Sequence, residues 1–146
     1  SGYDQYILEI NNLRPTSNSN ISMRTSTDGG STFNSGGADY DYVSRGYTSS
    51  GTGTTNNNSS ANEISLFPTS IGSAYAGGSL TMNIRAPADA QRTLFDFVGG
   101  YQDSSSEAAA VYGVASRKSA TDVDAVRFFG TTMDRGYFAL YGVKRS

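Results

Sequence analysis

At 146 residues the chain has the length of one ordinary domain, large enough to bury about two-thirds of its unfolded surface. Its formal net charge is −2, and cysteine and histidine are both absent. That excludes disulfides, thiolate nucleophiles, the usual zinc sites and every Ser-His or Cys-His catalytic pair.

Alternation of apolar and polar residues over short runs dominates the chain, the period-2 signal of strands with one buried face. The composition agrees: 17 Gly, 10 Tyr and 7 Phe against 3 Pro favour strands joined by turns. Residues 5–13 (QYILEINNL) predict a first strand with Tyr6, Leu8 and Ile10 on one face, ended by Arg14-Pro15. Residues 20–27 (NISMRTST) predict a second with Ile21 and Met23 inward, and residues 38–47 (ADYDYVSRGY) a third. Residues 48–62 (TSSGTGTTNNNSSAN) carry no apolar side chain until Ala61. Such a segment buries too little to offset the entropy of ordering, so it reads as a long exposed polar loop.

Further strands are predicted at residues 63–67, 79–86, 92–102, 108–118, 124–130 and 136–144, with turn chemistry between them. About nine strands without intervening helices predict an all-β fold, an antiparallel β-sandwich with jelly-roll-like order, as one domain over residues 1–146. Its expected core is Leu8, Ile10, Met23, Leu80, Met82, Ile84, Phe95, Phe97, Val126, Phe128, Phe138 and Leu140.

Positive residues are scattered, so no basic field exists to hold a nucleic-acid backbone. No apolar run approaches the roughly 18 residues of a membrane span, and the opening SGYDQY lacks the basic and apolar regions of a signal peptide. Neither nucleic acid nor membrane insertion is therefore expected.

Residues 26–33 (STDGGSTF) fit the pattern Ser-x-Asp-x-Gly-x-Thr-aromatic, which resembles the Asp-box of sialidases and related β-propellers. A propeller needs roughly four to eight blades of about 40 residues each, and this chain has no second copy of the octet. The octet instead reads as a structural turn: Asp28 accepts backbone hydrogen bonds, Gly29 and Gly30 supply positive φ, Thr32 returns the chain, and Phe33 covers a hairpin base.

A glycosidase needs two carboxylates about 5 to 10 Å apart. Asp39 and Asp41 lie two apart on a predicted strand and Asp122 and Asp124 two apart in a predicted turn, without neutralising arginines or cleft-lining aromatics in the pattern. Turn capping and solvated strand faces explain both pairs. Asp122, Asp124 and nearby carbonyls would offer oxygen ligands to calcium, but EF-hand spacing is absent, so neither metal nor cofactor is assigned. Among the tyrosines, Tyr47, Tyr75 and Tyr101 fall at strand ends, where sandwiches place binding residues, and are the candidate ligand contacts.

Three stretches together, YDQYILEINNLRP, MRTSTDGGSTFNSGGADYDY and AVRFFGTTMDRGYFALYGVKRS, resemble a domain of tail-fibre and other virion surface proteins of tailed bacteriophages. The matching elements are Tyr3 to Tyr6, an Asn12 to Pro15 turn, a Ser26 to Gly30 hairpin and Leu140 to Lys144. The resemblance implies a virion-surface β-sandwich, a homotrimer and no catalytic residue, and it implies that the chain is a piece of a longer protein. Expected function is then non-enzymatic receptor binding by a fibre or spike, with host-surface glycan as target. A capsid-decoration or head-fibre role is the alternative, and a carbohydrate-binding module or a small glycan hydrolase using Asp39 or Asp124 ranks behind.

Overall fold

The computed structural model describes residues 3–74, 76–88 and 91–144. The described residues form ten strands and no helix: β1 (Gln5–Pro15), β2 (Ser22–Ser26), β3 (Tyr40–Thr48), β4 (Gly53–Ala61), β5 (Ile64–Ser65), β6 (Gly78–Arg85), β7 (Leu94–Gln102), β8 (Ala108–Arg117), β9 (Ala125–Phe129) and β10 (Met133–Val143). All pairings are antiparallel, in a seven-stranded sheet of order β10-β1-β6-β7-β8-β3-β4 and a three-stranded sheet of order β5-β2-β9. The pairs β1·β10, β2·β9 and β3·β8 are nested in sequence as in a jelly roll, although the β6–β7 hairpin is inserted between β1 and β8, and the fold is the all-β antiparallel sandwich that the alternation predicts.

Alternation sets the faces. Leu8, Met82 and Phe97 lie opposite one another on β1, β6 and β7, and Gly113 completes the row on β8. A Cβ on Gly113 would stand 2.4 Å from the Phe97 ring, so only glycine lets that ring pass beneath β8. Ile10, Leu80, Ile84, Phe95 and Val111 share this buried face. Above it lie Ile21 and Met23 of the smaller layer, and the segment after β5 adds Leu66, Phe67 and Ile71, all fully buried.

Five expectations need correction. Residues 53–61 are not loop but strand β4, paired with β3 along its length. Its stability comes from backbone pairing and polar side-chain bonds: Asn56 Nδ2 donates to Ser65 Oγ (2.9 Å), Tyr42 donates to Asn56 Oδ1 (3.2 Å), and Arg45 Nε donates to Thr55 Oγ1 (3.1 Å). Phe138 and Leu140 are not core. They point to the inner side, opposite Ile10 and Leu8, but stand 50% and 59% exposed because the three-stranded sheet stops short of β10. Val126 and Phe128 are only partly buried, packed at the margin of the core.

The expected turn at Asn12 to Pro15 is a bulge inside β1, where one extra residue is inserted against β6 and Asn12 adopts φ 54°. Nor is the octet a hairpin turn. It carries the chain from β2 in one sheet to β3 in the other, so it is a corner between layers.

That corner is closed by a buried polar cluster. The Tyr40 hydroxyl accepts from the backbone N–H of Thr25 (2.8 Å), lies 3.1 Å from Thr25 Oγ1 and donates to the Asn34 carbonyl (3.1 Å). Arg117, 6% exposed, donates from Nη1 to the Asp39 carboxylate and to the Asp39 carbonyl (both 2.9 Å), with its guanidinium 5.6 Å from the Tyr40 ring centre. Removing the hydroxyl strands a buried N–H. Tyr40→Phe is therefore expected to lower unfolding free energy by about 1–3 kcal/mol in denaturant titration, whereas Tyr112→Phe on the solvent face shifts it by less than about 0.5 kcal/mol.

Candidate functional site

The octet is satisfied from within. Ser26 donates from its hydroxyl to Asp28 Oδ1 (2.8 Å) and accepts from the backbone N–H groups of Asp28 (3.1 Å) and Gly30 (2.9 Å). Asp28 accepts from the Thr32 hydroxyl (2.6 Å) and from the Thr32 backbone N–H (2.8 Å). These donors, the Thr32 hydroxyl foremost, hold the Asp28 carboxyl at about 2, below its ordinary 3.8. Gly29 and Gly30 take φ of 71° and 87°, which the loop needs to bring both N–H groups inward. Phe33 does not cover a hairpin base; its ring lies 4.5 Å from the Arg127 guanidinium on the outer side of the smaller sheet.

The suspected carboxylates are likewise engaged. Asp39 precedes β3, pairs with Arg117 and accepts from the Gly36 N–H (2.6 Å), while Asp41 sits on β3 and accepts from the Ser116 hydroxyl (2.5 Å). Asp124 Oδ2 accepts from the Gly29 N–H (2.8 Å), tying the octet to the segment before β9. Asp122 and Asp124 border the cleft between the two layers, about 280 Å³, whose walls are Tyr6, Ile84, Pro87, Val126 and Leu140. Among the described residues no lysine, arginine or amide side chain lines that cleft, which offers carboxylates and apolar surface. Among the described residues no three carboxylates are grouped to hold a metal ion.

The three candidate tyrosines fare differently. Tyr101 is buried at 6% exposure, edge-on to Phe67 with ring centres 5.0 Å apart, and its hydroxyl lies 2.6 Å from Thr69 Oγ1. Burial raises the pKa of its phenol. It is a core residue closed to ligands, which corrects the expectation from its place at a strand end. Tyr75 lies outside the described residues. Tyr47 is 55% exposed, beside Gly53 at the β3–β4 turn.

Tyr47 belongs to a surface that alternation alone does not single out. On the outer face of the seven-stranded sheet, Tyr112 of β8 stands opposite Val98 of β7 and Arg45 of β3. Val114 stands opposite Val43, and Ala110 opposite Tyr47. Val43, Tyr47, Val98, Tyr112 and Val114 are all exposed. Their side chains present on the order of 400 Å² of contiguous apolar surface, the size of the patches that on monomers are often functional. The signal existed in the sequence as apolar residues on both phases of YDYVSRGY and VYGV, where a sandwich strand normally keeps one phase polar. This platform is the candidate site, an aromatic and aliphatic sheet face with one guanidinium beside its rings.

Comparison with family models, curated proteins and solved structures returns no match to this chain.

The octet chemistry makes a pH prediction. A folded-state pKa below the unfolded value contributes stability that is present above the ordinary carboxylate range and lost as pH falls through the folded value. Stability is therefore expected to fall between about pH 4 and pH 2, and Asp28→Asn to lose that limb while lowering stability at neutral pH. Thermal unfolding of both proteins across this range is the measurement.

Proposed function

We propose that the chain is a non-enzymatic surface module of a tailed-bacteriophage virion, of the tail-fibre or spike kind, that binds a host-surface glycan through the outer face of its seven-stranded sheet. The observation that carries this reading is the exposed Tyr47, Tyr112 and Val98 platform. A tyrosine offers an apolar ring face to the C–H side of a sugar and a hydroxyl at its rim. Arg45, held by Thr55 and opposite Tyr112, sets a planar donor group among the rings. A flat sheet face suits an extended glycan chain rather than a small molecule, which would call for a concave pocket.

Three further features support it. The motif-bearing stretches at both ends of the chain resemble phage surface domains. Asp28, Asp39, Asp41 and Asp124 each serve a structural partner, which leaves the geometry better suited to holding a sugar than to cutting one. A net charge of −2 without a basic cluster also fits an uncharged or weakly charged ligand.

The test is a glycan array together with adsorption to candidate host cells. Binding is expected, and Tyr47→Ala with Tyr112→Ala is expected to weaken it at least about tenfold, given the usual weight of aromatic anchors, without changing the thermal midpoint. Silence on both, with binding to assembled capsids, would move the reading to capsid decoration. Turnover of a glycan abolished by Asp124→Asn would replace it with hydrolysis.

A further inference from the structure

The two edges of the seven-stranded sheet are built differently. β4, at one edge, reads GTTNNNSSA and presents hydroxyl and amide side chains. β10, at the other, is 11 residues long, has β1 as its one neighbour among the described residues, and contains the uncharged run GYFALYGV over residues 136–143. Natural proteins blunt a free edge with lysine, proline, bulges or short strands, and an unguarded apolar edge is a template for another strand. No proline or charged residue interrupts β10 from Gly136 to Val143.

β10 is also thinly covered: on its inner side Phe138 stacks on Phe128 with ring centres 5.4 Å apart and Gly142 lies against the Tyr3 ring, yet its large side chains stay substantially in water. Tyr137, Tyr141 and Val143 are exposed on the outer side, Tyr137 at 69%, and Phe138 and Leu140 on the inner side beside the open cleft. These five side chains expose roughly 500 Å² in one copy, hence about 1,000 Å² in two, the size at which a specific interface begins. The polar row Ser79, Thr81, Asn83 and Arg85 on the outer face of β6 separates this surface from the Tyr112 platform, so the two are distinct.

We propose that β10 pairs antiparallel with β10 of a second copy of this chain, about a twofold axis through Ala139. The strand is self-complementary in that register. Tyr137 then faces Tyr141, Phe138 faces Leu140, and Asp134 faces Lys144, so opposite charges meet at both ends. Opposed residues share a face, so Phe138 and Leu140 of each copy cover those of the other where the three-stranded sheet stops. The product is one continuous sheet of two subunits, a pair instead of the three copies that the resemblance implies.

Analytical ultracentrifugation from about 1 to 100 µM tests it, spanning the affinity that such an area supports. A reversible dimer is expected. Ala139→Lys is the informative variant, because the new lysine has Glu9 as its cross-strand neighbour within the chain but meets its own copy across the axis. It is expected to raise the dimer dissociation constant at least about tenfold with the thermal midpoint of the monomer unchanged, and Lys144→Glu to raise it severalfold at low salt. As a check without mutation, amide exchange over residues 137–141 should slow as concentration rises. A monomer at every concentration, a three-copy particle, or a dimer indifferent to Ala139→Lys overturns the pairing. So does protection of β10 that arises only in a longer natural chain, which would give the edge to another segment of the same polypeptide.

Discussion

A three-stranded layer can cover only part of a seven-stranded one. Here β2, β5 and the segment carrying Leu66, Phe67 and Ile71 sit over the inner face of the large sheet, and the fully buried side chains gather beneath them. Burial thins toward β9, where Val126 and Phe128 are half-covered, and fails at β10. Since apolar burial contributes about 25 cal/mol per Å², stability is concentrated under the small sheet and the β10 side contributes little to it. The same mismatch that limits the core produces the open cleft and an edge strand whose inner face is only partly covered.

Holding two layers of unequal width in register falls to the corner between β2 and β3. Tyr40 and Arg117 bring an aromatic ring and a guanidinium into the interior, and every nearby acceptor is recruited: the Asp39 carboxylate, the Asp39 carbonyl and the Asn34 carbonyl. With the Asn34 amide turned so that its nitrogen donates to the Thr25 carbonyl (2.9 Å), its oxygen also accepts from Arg117 (3.3 Å). A buried ion pair is weak evidence for added stability, because desolvation offsets the Coulomb gain. Its effect is geometric. The arrangement of β3, β8 and the octet satisfies these groups except Arg117 Nε, which is buried without a partner, and it fixes where the chain changes sheets.

Most of the large sheet was legible because β6 alternates strictly and β1, β7 and β8 each keep one apolar phase, which is the buried one. β4 was not, since a polar edge strand is stabilised by its backbone ladder and leaves no apolar period to read. Phe138 and Leu140 alternate correctly and do face inward, but the width of the opposing sheet is a tertiary property that no window of β10 contains. Tyr101 illustrates another limit: a tyrosine whose hydroxyl finds a partner such as Thr69 packs as well as phenylalanine, so position at a strand end does not imply access. Arg117 is the converse, a charged residue in ASRK that reads as surface until Asp39 is brought beside it. The bonds of Ser26, Asp28, Gly30 and Thr32 were legible because they are local, whereas the place of Phe33 and of the octet between two sheets depended on residues about a hundred positions away.

The polar character of β4 has a consequence for growth. A sheet with two adhesive edges can add subunits indefinitely, as fibrils do, while a sheet with one adhesive edge must terminate once that edge is used. β4 carries a bulge, one extra residue opposite Asp41, and its Asn, Ser and Thr side chains offer an incoming strand no apolar surface. Under the proposed β10 pairing, that strand would act as a chain terminator for the sheet and leave a finite particle of two copies.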